Sequence, residues 1–352
     1  MKHPVSLALG AIFLGAAALG LTACNQNGPD TPVDPGNTDT PAKAYSVYAP
    51  DGAPALALVN AIEDGSDAFE YQVVDSSTIQ TYVTGAEPEA DFCILPLNAA
   101  SKVLGTGTVY KMLGTVTNGN LFFLSAEDNE DLTQDNLSTL VGKSVGVVQL
   151  PNVPGLTLQA VLNKYDIDYQ IVENDGEKAT DKVNLIAFDP TNVTPAGGCD
   201  YYLCPEPAAS TKIKGTASAQ KPFRMAGDLQ ALYGGEEGYP QAVLVAKKSI
   251  LEGDETDKDA VEAMLSYMEE SGTYLETVTP ETVLSALDGV RTEGMTASFN
   301  ANNLTKEVIA NCSVRFSPSG ECKERVNAFL EELIAVNESA AKAVSDDFFY
   351  NA

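Results

Sequence analysis

The chain has 352 residues, with 49 acidic against 21 basic side chains and a formal net charge of −28. Such a surface repels nucleic acid and anionic head groups, so no nucleic-acid partner is expected. The single histidine is His3, which leaves the rest of the chain without a Ser-His-Asp or Cys-His catalytic unit or a His-based metal site, and no Walker-type phosphate loop appears; no metal and no cofactor are expected.

Lys2 precedes an apolar stretch from Val5 to Leu21 that ends in Leu21-Thr22-Ala23-Cys24, small residues directly before a cysteine. This pattern reads as a bacterial lipoprotein signal over 1–23, cleaved before Cys24, whose thiol then carries lipid. An ordinary signal peptide or a single membrane anchor is the alternative. The Pro/Gly/Asp/Thr-rich stretch 24–43 has no apolar periodicity and is expected to be a flexible tether that holds the folded part off the membrane.

From Tyr45 strands and helices alternate. Strands are expected at Tyr45–Tyr48, Tyr71–Asp75, Phe92–Leu95 and Leu121–Leu124, with helices over 54–63, 77–83 and 98–104. After the acidic loop 127–135 a second series follows: strands at 144–149, 169–172, 184–188 and 201–204, a helix over 154–164, and a helix after Cys204. Tyr239–Val245 is a further apolar strand. Beyond Lys258 the spacing is almost wholly helical. The two series are related. Asp91-Phe-Cys-Ile-Leu-Pro96-Leu-Asn-Ala-Ala-Ser101 returns as Asp200-Tyr-Tyr-Leu-Cys-Pro205-Glu-Pro-Ala-Ala-Ser210, Asp51-Gly-Ala-Pro54 as Asn152-Val-Pro154, and Asp75-Ser-Ser-Thr78 as Asp189-Pro-Thr-Asn192. Three matches in one order argue for two α/β lobes, 44–125 with 241–352 and 126–240. They face one another across a cleft, and the chain is expected to cross between them at Leu121–Leu124 and Gln241–Val245.

Each repeat ends a strand at a proline or turn and opens a helix, so free backbone N–H groups are expected to face the cleft at Gly52-Ala53, Asn98-Ala99, Asn152-Val153 and Pro207-Ala208. Helix starts alone suit an oxyanion. Asp51 and Glu206 oppose that reading, because they stand in the same turns and no arginine lies in a motif; facing a ligand they would hold an amine or N–H edge, and otherwise they serve their own turns and helices. Thr117, Asn118 and Asn120 offer uncharged donors and acceptors. Tyr48, Tyr201 and Tyr202 offer a stacking wall, or core. Cys312 and Cys322 flank a turn-rich segment that a disulfide could close, whereas Cys93 and Cys204 read as small core residues.

Tyr48-Ala-Pro-Asp-Gly-Ala-Pro-Ala-Leu-Ala-Leu58, Ile94-Leu-Pro-Leu-Asn-Ala-Ala-Ser101, Lys111-Met-Leu-Gly-Thr-Val-Thr-Asn-Gly-Asn120, Gly142-Lys-Ser-Val-Gly-Val-Val-Gln149, Asn152-Val-Pro-Gly-Leu156 and Pro205-Glu-Pro-Ala-Ala-Ser-Thr211 together resemble the substrate-binding lipoproteins of ABC importers. The branch they are most similar to groups thiamine-pyrimidine, nitrate, taurine and sulfonate binders. The resemblance implies the type II periplasmic-binding fold, a small-molecule ligand, an ABC permease as partner, attachment to the membrane through a lipid, and a monomer. Pyrimidine synthases share that fold, but they resemble metal-dependent enzymes that use histidine and a cysteine-rich run, and the chain after the expected signal has neither, so no enzyme is expected. A non-transport surface lipoprotein is the third reading. The resemblance is specific for fold and role but not for the ligand; from Asp51 and Glu206 the ligand expected is a nitrogen-bearing heterocycle or amine, such as a thiamine-precursor pyrimidine, with a sulfonate or nitrate-like anion as the alternative.

Overall fold

The computed structural model describes residues 44–173 and 175–351. The expected signal, the tether and Cys24 lie outside them. In chain order, β1 (Tyr45–Pro50), α1 (Ala53–Leu56), α2 (Val59–Asp64), β2 (Phe69–Val74), β3 (Phe92–Pro96), α3 (Leu97–Leu104) and β4 (Tyr110–Thr117) open the first lobe. The second holds β5 (Leu121–Ser125), β6 (Ser144–Val148), α4 (Val153–Lys164), β7 (Tyr169–Val172), β8 (Val183–Phe188), β9 (Tyr201–Pro205), α5 (Ala208–Thr216), β10 (Arg224–Asp228) and α6 (Leu229–Gly234). The chain then returns through β11 (Ala242–Lys247), α7 (Lys248–Leu251), α8 (Glu255–Thr277), α9 (Pro280–Val290), α10 (Lys306–Asn311), β12 (Val314–Pro318) and α11 (Ser319–Val336).

Each lobe is built on a six-stranded sheet, ordered β12-β4-β11-β3-β1-β2 in the first and β10-β5-β9-β6-β8-β7 in the second. The plans correspond. A parallel set (β2-β1-β3; β7-β8-β6-β9) is joined by one strand that enters antiparallel from the other lobe, β11 against β3 and β5 against β9. Both faces of each sheet are covered, which is why these strands read as continuous apolar runs rather than alternating ones. In β3, Cys93 and Leu95 pack to one side while Phe92 and Ile94 pack to the other.

The repeated acids explain why the repeat exists. Asp91 Oδ2 accepts the N–H and hydroxyl of Ser46 at 3.1 and 3.3 Å, and Asp200 Oδ2 accepts those of Ser144 at 2.8 Å each. Each acid therefore ties the start of one central strand to the start of its parallel neighbour. Asp75 and Asp189 likewise each accept the N–H and hydroxyl two residues on, at 2.8 and 2.6 Å, closing matching turns.

Several expectations are corrected. Leu121–Leu124 and Gln241–Val245 are not the crossings, because β5 pairs with β9 and β10 inside the second sheet, and β11 is an inner strand of the first. The chain changes lobe at 118–120 and again at 238–241. Residues 121–125 therefore belong with the second sheet. The two crossings are bonded to each other, Tyr239 N–H to Asn118 O at 3.2 Å and Gln241 N–H to Thr117 O at 3.0 Å. The expected helix over 54–63 breaks at Ala57-Leu58 into α1 and α2, and 77–83 contains only a short 3₁₀ turn. The segment between Cys312 and Cys322 is β12 and the start of α11, not a loop. It places Cys312 in the core on one face of the first sheet and Cys322 in the core on the other, so both thiols are free and the expected disulfide does not form.

Candidate functional site

Where the lobes meet, four elements bring together a group of largely buried polar side chains. Glu206 follows β9 and is 4% exposed. Its carboxylate accepts from the Ser210 N–H (3.1 Å) and hydroxyl (2.7 Å) in the first turn of α5, and from the side-chain amide of Asn311 at the end of α10 (2.7 Å). The first two are contacts with its own helix start, where a negative charge is favoured. The third crosses from one lobe to the other. A second such bond joins Lys214 Nζ of α5 to Asn302 O at 3.0 Å. Polar groups thus bridge the lobes on this side, while on another side α11 packs Phe329 against Tyr233 and Tyr239 and joins the lobes through a shared apolar core.

Behind Glu206 lie the crossings. Asn120 and Glu206 exchange backbone and side-chain bonds: the Glu206 N–H donates to Asn120 O (2.9 Å), and Asn120 Nδ2 donates to Glu206 O (3.4 Å). Gln241 Nε2 donates to Asn120 Oδ1 at 2.8 Å. Thr117 ends β4 and is wholly buried. Thr117 Oγ1 and Gln241 Oε1 are buried and accept or donate no hydrogen bond among the described residues.

Of the expected ligand residues, Glu206, Asn120 and Thr117 come together here, with Pro207 and the start of α5 alongside. The others do not. The Asp51 carboxylate faces Arg291 Nε and Nη2, both at 3.4 Å, and its other oxygen accepts the Ser298 N–H at 2.6 Å. With side chains 6% and 8% exposed, this pair is a buried anchor for the 291–298 loop. Gly52 faces the same loop: it takes φ 109°, and a Cβ there would lie 3.9 Å from Ser298 Oγ. The neighbouring Ala53 is buried. Asn98 lies inside α3, which starts one residue early, and its amide donates to Ala340 O at 3.3 Å in the C-terminal tail. Asn118 holds β12 in place, donating to Arg315 O at 3.0 Å and accepting from Arg325 at 3.1 Å. Asn152 is exposed at the cap of α4 with no side-chain cap bond.

The aromatic wall also dissolves into packing. Tyr48 stacks on Tyr82 with centroids 4.3 Å apart, Tyr201 donates to Glu130 O, and Tyr202 is packed between Phe188 and Phe223. Sequence reasoning missed Asn311, Gln241 and Ser210. Ser210 stood in the repeated motif, but Asn311 and Gln241 carry no local signal and are brought in only by the crossing geometry.

The nearby thiols are not chemically poised. Burial pushes Cys204 up to about 12, and burial together with the Glu206 charge raises Cys312 well above the usual thiol range. No group of histidine, cysteine and carboxylate side chains able to hold a metal occurs among the described residues.

No protein-family model and no curated protein matches the sequence. Solved structures do match. An ABC transporter from Parabacteroides distasonis superposes with TM-score 0.63 at 16% identity, covering 88% of this chain and 99% of that one. A putative sulfonate ABC transporter's periplasmic sulfonate-binding protein from Methylobacillus flagellatus gives 0.50 at 10%, covering 88% and 92%. A mutant of DSZB, in complex with biphenyl-2-sulfinic acid, gives 0.50 at 12%, covering 86% and 97%. These likenesses show the two-lobed α/β fold. A shared fold does not carry a function, which has to be argued from the site.

Proposed function

We propose that the chain is an extracytoplasmic solute-binding lipoprotein, monomeric and not an enzyme, that closes its two lobes around a small polar molecule and delivers it to an ABC permease. The observation that carries this reading is the bond from Asn311 to Glu206, which joins the lobes directly over a buried polar floor made by the two crossings. Two lobes joined by short bonded crossings, with polar contacts bridging them beside those crossings, are the arrangement that lobe closure around a solute needs. The apolar stretch and Cys24 supply the anchor. Against catalysis stand the absence of histidine after His3 and the burial of Cys204 and Cys312, which raises both thiols above the usual range.

The ligand class we favour is a nitrogen-bearing heterocycle or amine. Glu206 is a buried carboxylate whose three donors are all neutral, so an anion placed beside it meets repulsion without compensation. The alternative, a sulfonate-like anion, draws on what two of the similar structures are said to bind. Native mass spectrometry of protein purified from its own host tests the proposal: a co-purified small molecule in one-to-one ratio supports solute capture, and a bare chain at low micromolar protein argues against it.

A further inference from the structure

Resting on the solute-binding reading, we infer that the floor of the site is built as an acceptor edge, so that its ligand must present N–H donors, and that Gln241 and Thr117 are the residues that read them. The polarity follows from a chain of bonds. The carbonyl of Glu206 can only accept, so the Asn120 side chain turns its NH₂ toward it, at 3.4 Å. That leaves Asn120 Oδ1 to face Gln241, whose NH₂ donates to it at 2.8 Å. Gln241 Oε1 is then committed to point away from Asn120, as an acceptor. It is buried and has no donor among the described residues. Thr117, bonded to Gln241 through its backbone at 3.0 Å, has a buried hydroxyl that also lacks a partner and can accept an N–H as well as donate. Buried polar groups are nearly always satisfied, and the orphans at the lobe junction, which also include the Tyr239 hydroxyl and Gln230 Nε2, mark the place where a ligand completes the network; Gln241 Oε1 is the one among them that can only accept. The Glu206 carboxylate adds an acceptor whose contacts are neutral donors. A primary amino, amidine or amino-heteroaromatic group matches this edge, and an oxyanion does not.

Thr117→Val and Gln241→Met test it, with benzamidine and 4-aminopyrimidine as donor probes and methanesulfonate and nitrate as anion probes in isothermal titration. A donor probe should bind the parent protein and bind each variant roughly tenfold or more weakly, in line with a lost hydrogen bond. The ligand-free melting temperature of Thr117→Val should hold or rise, because the hydroxyl it loses has no partner. A purely structural threonine would lower it. Donor binding unchanged in both variants, or binding of the anion probes instead, overturns the acceptor edge while leaving solute binding in place. If no probe binds but the host-purified protein carries a molecule, its composition decides: an N–H-bearing molecule supports the inference and one without N–H overturns it. A host-purified chain that is bare and binds no probe overturns both readings.

Discussion

Asn311, at the end of α10 in the first lobe, donates its side-chain amide to Glu206 Oε1 of the second lobe across 2.7 Å. The bond spans the two lobes, and one of its partners forms part of the proposed ligand site. Asn311→Ala should therefore shift the hinge toward open states without disturbing either sheet. A hydrogen bond to a charged group contributes about 1.5–3 kcal/mol, so ligand affinity should fall roughly tenfold or more. Titration calorimetry beside circular dichroism checks this, and a lowered helix and strand content would mean that the bond supports folding instead.

Glu206→Gln separates the ligand classes. The side chain keeps its size and an oxygen for Ser210, but loses its charge. An amine or N–H ligand should bind roughly tenfold more weakly, whereas an anion should bind equally well or better. An improvement would favour the sulfonate alternative.

Asp51→Asn gives the contrasting outcome. It breaks a buried pair with Arg291, and losing one partner of such a pair costs about 3–5 kcal/mol where no other charge remains. Here Asp288 also contacts Arg291, so a smaller loss is expected. The melting temperature should drop clearly while affinity for the bound solute changes by less than about threefold. A large loss of affinity at unchanged stability would return Asp51 to the cleft.

The strand-tying acid of the second lobe has a pH signature. Burial pushes the Asp200 carboxyl up, but the Ser144 N–H and hydroxyl and the Lys143 ammonium outweigh it and hold the group below the usual carboxylate range. A depressed folded value adds stability that is present above the unfolded value, about 3.9, and is lost as pH falls through the folded one. Asp200→Asn should lower stability at neutral pH and flatten its decline between about pH 4 and lower values. Denaturant melts at several pH values would show it, and parallel curves for the two proteins would remove Asp200 as a contributor.

Cys24→Ser tests the anchor proposal. The substituted protein should leave the membrane fraction of its host, since the lipid chains have no other attachment. Retention after a high-salt wash would contradict lipidation.

The sequence made the two lobes visible because their common devices are local. A tying acid before a strand, a proline at its end and an Asp-Ser or Asp-Pro-Thr turn each write themselves into a few neighbouring residues. Glu206 could be found for the same reason. The crossings were misplaced because Leu121–Leu124 and Gln241–Val245 look like any buried strand, and only pairing reveals which sheet owns them. β12 was hidden by its turn-forming residues. β4 shows in the sequence only as a motif, since Gly114 interrupts its apolar run; a Cβ there would collide with Ser317 O and the Phe316 ring on β12. Asp51 was assigned to the cleft because its partner, Arg291, lies 240 residues away. Asn311 and Gln241 are ordinary polar residues until the fold places them at the junction.

The central claim is that ligand and lobe closure are coupled. Small-angle scattering of the soluble Cys24→Ser protein, stripped of bound solute and then given back the molecule recovered from host-purified material, measures this coupling directly. The account predicts a smaller radius of gyration on adding the molecule, and a ligand-free Asn311→Ala protein at least as expanded as the stripped parent. Identical profiles with and without saturating solute would contradict it.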